Sequence, residues 1–396
     1  MHKKHLVRRA GRQVMKRSAE RILTTHTGSL PRPPDLLDLL MQGRGGDHDT
    51  TLASRLREAV SEIVRKQVEV GVDVINDGEL SKESYSTYVR ERLTGFEGER
   101  EQATRTPDLE AFPDYARRFM SEAGPAAESM LRPPACVGQI RVKDREQLRR
   151  DVDNLRAATH GIGVSEVFMS SASPGVVSLF FANHHYPTRE AYLAAIAEAM
   201  KEEYETIVAA GFVLQLDCPD LAMGRHVQFP DLTLEEFRKE ARLNVEALNH
   251  ATAAIDPDQM RIHLCWGNYE GPHHYDVALK DIIDIILDAR PNGISLEACN
   301  PRHEHEWEVF KDVKLPDGKV LIPGVIDSTT NYIEHPELVA QRLLRYAELV
   351  GRENVLAGSD CGFATSARLT VVEPEITWAK LQAMAEGAQI ASRRLW

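Results

Sequence analysis

The sequence predicts an α/β chain folded as a (β/α)8 TIM barrel, with an insertion after the second βα unit. Three observations predict it. Short apolar, β-branched runs alternate with longer amphipathic stretches, the rhythm of βα units around a parallel sheet. Eight or nine such runs occur. Clusters of Asp, Ser, Gly, Cys and His follow several of them, at the rim where a parallel barrel places its chemistry. A chain of 396 residues, 42% hydrophobic and 27% charged, suits one large core of this kind.

The first strand is predicted at Ile22–Thr25, followed by the helical stretch Thr51–Val70 and a second strand at Val72–Asp77. Residues 91–134 break the rhythm: they are polar, proline-dotted and weakly periodic, as expected of an insertion that forms a lid or a subunit contact. Ala135–Gly138 is either a further strand or part of that insertion. Strands at Glu166–Ser170 and Phe212–Asp217 flank the helix Arg189–Ala210, and Thr233–Ala254 leads to the strand Met260–Cys265. The helix Asp276–Ala289, the strands Gly293–Glu297 and Leu321–Ile326, the helix Pro336–Val350, the strand Val355–Ser359 and the helix Ile376–Arg394 complete the series.

Composition excludes several classes. The net charge of −12 argues against a general nucleic-acid binder, and no apolar run reaches the roughly 18 residues needed to span a bilayer. Residues 1–20 hold seven Lys or Arg against the single acid Glu20 and lack the apolar core of a secretory signal. They are expected to form a flexible basic arm, or a tail contacting a second subunit of a homo-oligomer. Five cysteines without paired short spacings do not suggest a disulfide framework, and a reducing cytoplasm fits them.

Four residues carry the candidate chemistry. His263 and Cys265 sit two apart on one strand and so share a face, while Glu297 ends another strand and Cys361 follows a third. One imidazole, two thiolates and a carboxylate make a tetrahedral zinc set. Spacing alone leaves open a buried apolar thiol beside a hydrogen-bonded histidine. Further polar groups end other strands: Gly28 and Ser29, Asp77-Gly78-Glu79, Asp217-Cys218 and Asp327-Ser328-Thr329. Each by itself reads equally as a turn or helix cap. His303 and His305 are candidates for a polar shell behind Glu297. The adjacent pairs His184-His185 and His273-His274 read as loop residues near a pocket mouth. Cys136, Cys218 and Cys299 read as structural.

The chain resembles the C-terminal catalytic barrel of cobalamin-independent methionine synthase, and more closely its single-barrel bacterial relatives, from about Ile22 to about Arg394. The matching motifs are THTGSLPRP at Thr25–Pro33, GVDVINDGE at Gly71–Glu79, RPPACVGQI at Arg132–Ile140 and LQLDCP at Leu214–Pro219. His263–Cys265, Ser295–Glu297, GVID at Gly324–Asp327 and DCGFAT at Asp360–Thr365 continue the match. The resemblance implies Zn2+ held by His263, Cys265, Glu297 and Cys361, with a zinc-bound thiolate as nucleophile. It implies that Gly28, Ser29, Glu79 and Asp217 hold the amino-acid part of homocysteine, the two acids on its ammonium group. The small-molecule partners would be this thiol and an alkyl donor: a methylfolate, a corrinoid or another activated methyl.

Two departures bear on the donor. The family's Asp-x-His motif is here Asp327-Ser328-Thr329, which leaves Asp327 and the rim residue His26 as candidate acids. Its Asp-Glu-Pro is here Asp217-Cys218-Pro219. The runner-up is another zinc-thiol alkyltransferase, such as an epoxyalkane:coenzyme M transferase. A metal-free uroporphyrinogen decarboxylase-like enzyme and a non-catalytic zinc module are the alternatives from other classes.

Overall fold

A computed structural model describes residues 14–42, 47–98, 106–123, 133–367, 369 and 371–396. Most of residues 1–20 and parts of the 91–134 insertion lie outside them. Seven parallel strands form one curled sheet in the order β1 (Val74–Ile75), β4 (Glu166–Ala172), β5 (Val213–Asp217), β6 (Met260–Leu264), β7 (Gly293–Leu296), β8 (Val320–Ile326), β9 (Gly358–Ser359). The expected first strand, Ile22–Thr25, is reduced to a bridge between Thr24 and Ala357. It still closes the barrel: the Asp73 and Val74 N–H groups donate to the Thr24 carbonyl, and Thr25 donates to the Ala357 carbonyl.

Helices pack outside the sheet in neighbouring pairs, Asp47–Glu69 with Glu146–Thr159, Arg189–Ala209 with Leu234–Ala251, and Pro336–Val350 with Pro374–Leu395. Local sequence sets their starts. Thr188 caps one helix through its side chain, and Thr233 with Glu236 forms a reciprocal capping box on another. The expected helix Asp276–Ala289 shortens to Ile283–Leu287. Asp276 is instead bound by His273 and His303, and the Leu279 N–H by the Glu306 carboxylate, so the first turns of that helix do not form.

The insertion lies inside the second βα unit rather than after it, between β1 and the helix Glu146–Thr159. It contains the short helices Pro107–Glu110 and Pro113–Ala123. Ala135–Cys136 (β3) pairs antiparallel with Phe96–Glu97 (β2), so this run is no barrel strand. Of the basic arm, residues 14–20 dock against the barrel floor: Met15 N–H donates to the Asp258 carbonyl, Lys16 N–H to Glu166, and the Ser18 hydroxyl to the Val355 carbonyl. Met15 joins Leu23, Val74, Phe168, Val213 and Ile322 in a separate apolar cluster there. Gly293 admits this packing, since a Cβ on it would meet the Arg261 Cβ at 2.5 Å and the Met15 sulfur at 2.9 Å. Among the described residues no helix is long and apolar enough to cross a membrane.

Candidate metal and substrate site

Alternation along β6 turns Arg261, His263 and the following Cys265 to one side, and register pairs His263 with Asp217 on β5 and Ser295 on β7. Cys361 arrives from the loop after β9, bringing its Sγ to 3.5 Å from that of Cys265. Donor atoms of His263, Cys265 and Cys361 all lie within 4.8 Å of one another. The Ser295 hydroxyl sits 3.2 Å from His263 Nδ1, while the buried Nε2 has no partner. Burial and the Arg261 charge push the imidazole down to about 3, so it is neutral, as a ligand must be. Donation of its S–H to Cys361, and then burial, push the Cys265 thiol up. An orphaned imidazole nitrogen and two crowded thiols suit a borderline-soft divalent cation, and the donor set fits zinc.

Glu297 is not part of that group. Its two carboxylate oxygens accept from Trp266 N–H and from the Asn300 side chain, each at 2.8 Å, which holds it beside the thiols on the neighbouring loop. Asp360 builds this arrangement. Its carboxylate accepts from the Ala298, Cys299 and Asn300 N–H groups, tying the Glu297 loop to the residue before Cys361. Asp360 fell within the DCGFAT motif, but nothing in the sequence marked it as a clamp.

A cavity of about 280 Å³ opens on this cluster and is lined at its base by Ser29, Glu79, Asp217, His263, Cys265 and Cys361. Its outer wall is largely apolar, with Tyr85, Phe180 and Met223 from the barrel loops and Phe119 and Met120 from the insertion. The insertion therefore covers the pocket, as a lid would. Glu79 has φ of 56°, a left-handed conformation uncommon for a side-chain-bearing residue, and is held there by an N–H bond to Asp77. Its Oε1 accepts from the Ser170 hydroxyl at 2.6 Å, and its buried Oε2 has no partner. Gly28, at φ 151°, makes room for this carboxylate: a Cβ there would fall 2.2 Å from Glu79 Oε1. Asp217 accepts from Gln215 at 2.9 Å, and burial, then the Glu79 charge, pushes its carboxyl well up. Two buried acids thus face one cavity with acceptor capacity to spare. Buried Lys82 lies close by, donating to the Ser170 carbonyl at 2.7 Å and standing over the Tyr88 ring.

Both candidate acids fall away from this cavity. His26 is buried under the rim, its Nε2 on Gln67 and its ring edge on Phe168, and burial lowers it to about 4. Asp327 spends its carboxylate on Thr329 N–H and the hydroxyls of Thr329 and Thr330, capping its own turn. Neither lines the pocket. Of the supposed shell behind Glu297, His303 stacks on Trp266 and binds Asp276 and Glu306, while His305 is exposed. Asn300 is the side chain that meets Glu297. Cys136, Cys218 and Cys299 are buried free thiols outside the cluster.

Fold and site together define a parallel-barrel protein with a candidate thiolate metal site at the base of an acid-lined, lidded pocket. The chain belongs to the family of the cobalamin-independent synthase catalytic domain, whose model matches residues 126–389. It is similar to a 2-hydroxypropyl-CoM lyase of Xanthobacter autotrophicus, at 24% identity over 88% of each chain. It is also similar to a methionine synthase of Saccharolobus solfataricus, at 23% identity over 94% of this chain and 95% of that one. A B12-independent methionine synthase from Shewanella sp. W3-18-1, solved with selenomethionine, shares the fold with a TM-score of 0.69 at 19% identity, over 95% of this chain and 99% of that one.

Proposed function

We propose that this protein transfers a methyl group to the sulfur of homocysteine, giving methionine. The observation that carries the reading is one cavity with His263, Cys265 and Cys361 at its base and the two buried acids Glu79 and Asp217 beside them. A buried ammonium needs carboxylate partners, and Glu79 Oε2 is free to be one. Ser29 lines the same pocket and offers a hydroxyl to the amino-acid end. His263, Cys265 and Cys361 would hold a zinc ion, with Glu297 alongside as a fourth, displaceable ligand. Zinc bound there would lower the pKa of an incoming thiol while leaving its sulfur electron-rich enough to attack carbon. The thiol gives its proton to solvent, the new S–C bond forms in line as the donor–methyl bond breaks, and the donor leaves with the electron pair of that bond.

The family membership and the methionine synthase relatives support this reading over the metal-free decarboxylase and the purely structural zinc module. The Xanthobacter relative keeps thiol addition to an epoxide as the second reading. Glu79 and Asp217 weigh against it, because a sulfonate-bearing thiol would meet two acids.

The donor is an activated methyl rather than free methyltetrahydrofolate. A tertiary amine leaves only when protonated, and the Asp327–Thr329 turn and His26 are both withdrawn from the pocket. Assays with homocysteine against methyltetrahydrofolate, a methylcorrinoid and a sulfonium, with methionine read by mass spectrometry, test both parts. Turnover of about 1 per second or faster with methyltetrahydrofolate overturns the donor assignment. No methionine from any donor, together with thioether from coenzyme M and an epoxide, overturns the acceptor. Metal content is a separate readout: Cys265→Ala and Cys361→Ala are expected to lose zinc while the barrel stays folded.

A further inference from the structure

A second group of ligating side chains stands apart from the thiols. Asp108 comes from the insertion helix Pro107–Glu110, His226 from the short helix Gly224–Val227 that follows β5, and Asp276 from the loop after β6. Their donor atoms lie within 4.8 Å of one another. The side chains of Asp108, His226 and Asp276 are 0%, 3% and 1% exposed. His226 Nδ1 and Asp276 Oδ1 face each other at 3.5 Å, yet neither makes a hydrogen bond. Buried polar atoms left in this state are rare and costly, and two of them converging on one point call for a shared partner.

A cation meets that need geometrically. In a tetrahedron with bonds of about 2.1 Å, neighbouring donor atoms stand about 3.4 Å apart, close to the 3.5 Å between His226 Nδ1 and Asp276 Oδ1, with the Asp108 donor within 4.8 Å of both. The groups behind the donors are those that orient metal-bound carboxylates. Asp276 Oδ2 is fixed by His273 Nδ1 and His303 Nε2, both at 3.0 Å, and His303 is itself anchored on Glu306. Asp108 is held by Tyr275 N–H at 3.2 Å and His274 Nδ1 at 2.9 Å. One nitrogen and two carboxylates form a harder set than the thiol cluster, suited to Zn2+ or Mn2+.

We propose that Asp108, His226 and Asp276 form a second divalent-cation site in the wall of the same cavity, which His226 lines. The ion joins the insertion to the short helix after β5 and the loop after β6, so it fixes the lid as well as adding a Lewis-acidic face to the pocket. The inference does not rest on the methyl-transfer reading, and its test reads metal rather than turnover.

The test uses the full chain, stripped by a chelator and titrated with Co2+ and Mn2+. Two ions should bind: one Co2+ with thiolate charge-transfer absorption, and one ion without it. His226→Gln and Asp276→Asn should each lose the second ion and keep the thiolate band, which also reports that the barrel is folded. His273→Asn, which acts through Asp276, should weaken the second ion about 10–100-fold. Mn2+-soaked crystals of the unaltered protein should give an anomalous peak between His226 Nδ1 and Asp276 Oδ1. Saturation at one ion, a second ion that survives both ligand substitutions, or no anomalous peak at that position each overturns the proposal and leaves a structural charge network.

Discussion

The two ends of the barrel treat buried polar groups in opposite ways. At the floor, Arg261 is fully buried, and each of its three nitrogens donates: to Gln215 Oε1 at 2.8 Å, Thr25 Oγ1 at 3.0 Å and the His26 carbonyl at 2.9 Å. Its guanidinium lies over the Phe168 ring. Two residues further along β6, His263 Nε2 has no partner, and Glu79 Oε2 at the same rim has none either. The difference separates a polar layer that holds the structure from one that waits for a ligand. Buried groups matched inside the chain specify the fold, whereas unmatched ones store a cost that only a bound partner relieves.

The largest expected effect comes from breaking the floor. Arg261→Ala removes a donor from three acceptors at once and leaves a void under Phe168, so we expect a loss of about 3–5 kcal/mol of stability. Urea unfolding measures it. A change below about 1 kcal/mol would mean that the floor contributes no more than a surface site, and the contrast between the two ends would fail.

At the rim the expected signs divide. Glu79→Gln and Asp217→Asn should each weaken homocysteine binding by about 2–5 kcal/mol, because the ammonium loses a buried counter-charge. Asp217→Asn should raise the stability of the ligand-free protein by about 1 kcal/mol, since one of two facing buried acids becomes neutral. Calorimetric titration with homocysteine and thermal unfolding of the same samples read both. Unchanged homocysteine affinity in both variants would place the ammonium elsewhere.

The sequence displayed the rim better than it displayed the couplings behind it. His263 and Cys265 were legible because strand alternation puts residues two apart on one face, and Cys361 because its strand ends in the DCGFAT motif. Glu297 is legible as a candidate ligand from residue type and position, whereas the Trp266 N–H and Asn300 side chain that orient its two oxygens come from loops that no single-chain pattern marks. His26 stood beside the right glycine, yet Gln67 of an outer helix draws it under the rim. The Asp108, His226 and Asp276 cluster draws on two four-residue helices and a loop, too short for periodicity to carry a signal. The His273-His274 pair was recognisable as loop, but its two rings serve different acids, Asp276 and Asp108.

The smallest effect tests whether the arm seals the floor. Glu166 begins β4 and accepts the Lys16 N–H at 2.6 Å, and it is almost wholly buried. Burial lifts its carboxyl from 4.5 to about 7, against the opposing pull of that N–H and of Arg261. Between those values the native protein keeps a proton that the unfolded chain has released. Stability from this group is therefore complete below about pH 4.5 and declines as the pH rises through about 7. Glu166→Gln keeps an acceptor for Lys16 and cannot ionise. It should match the parent near pH 5 and exceed it by about 1–2 kcal/mol near pH 8, less than the full shift implies because Arg261 loses a neighbouring charge. Denaturation curves at the two pH values, with and without residues 1–18, resolve the contribution. If the gap between parent and variant is the same at both pH values, Glu166 does not titrate in this range. If removing the arm leaves the gap unchanged, solvent rather than residues 14–18 governs the group, and the floor is not closed by the arm.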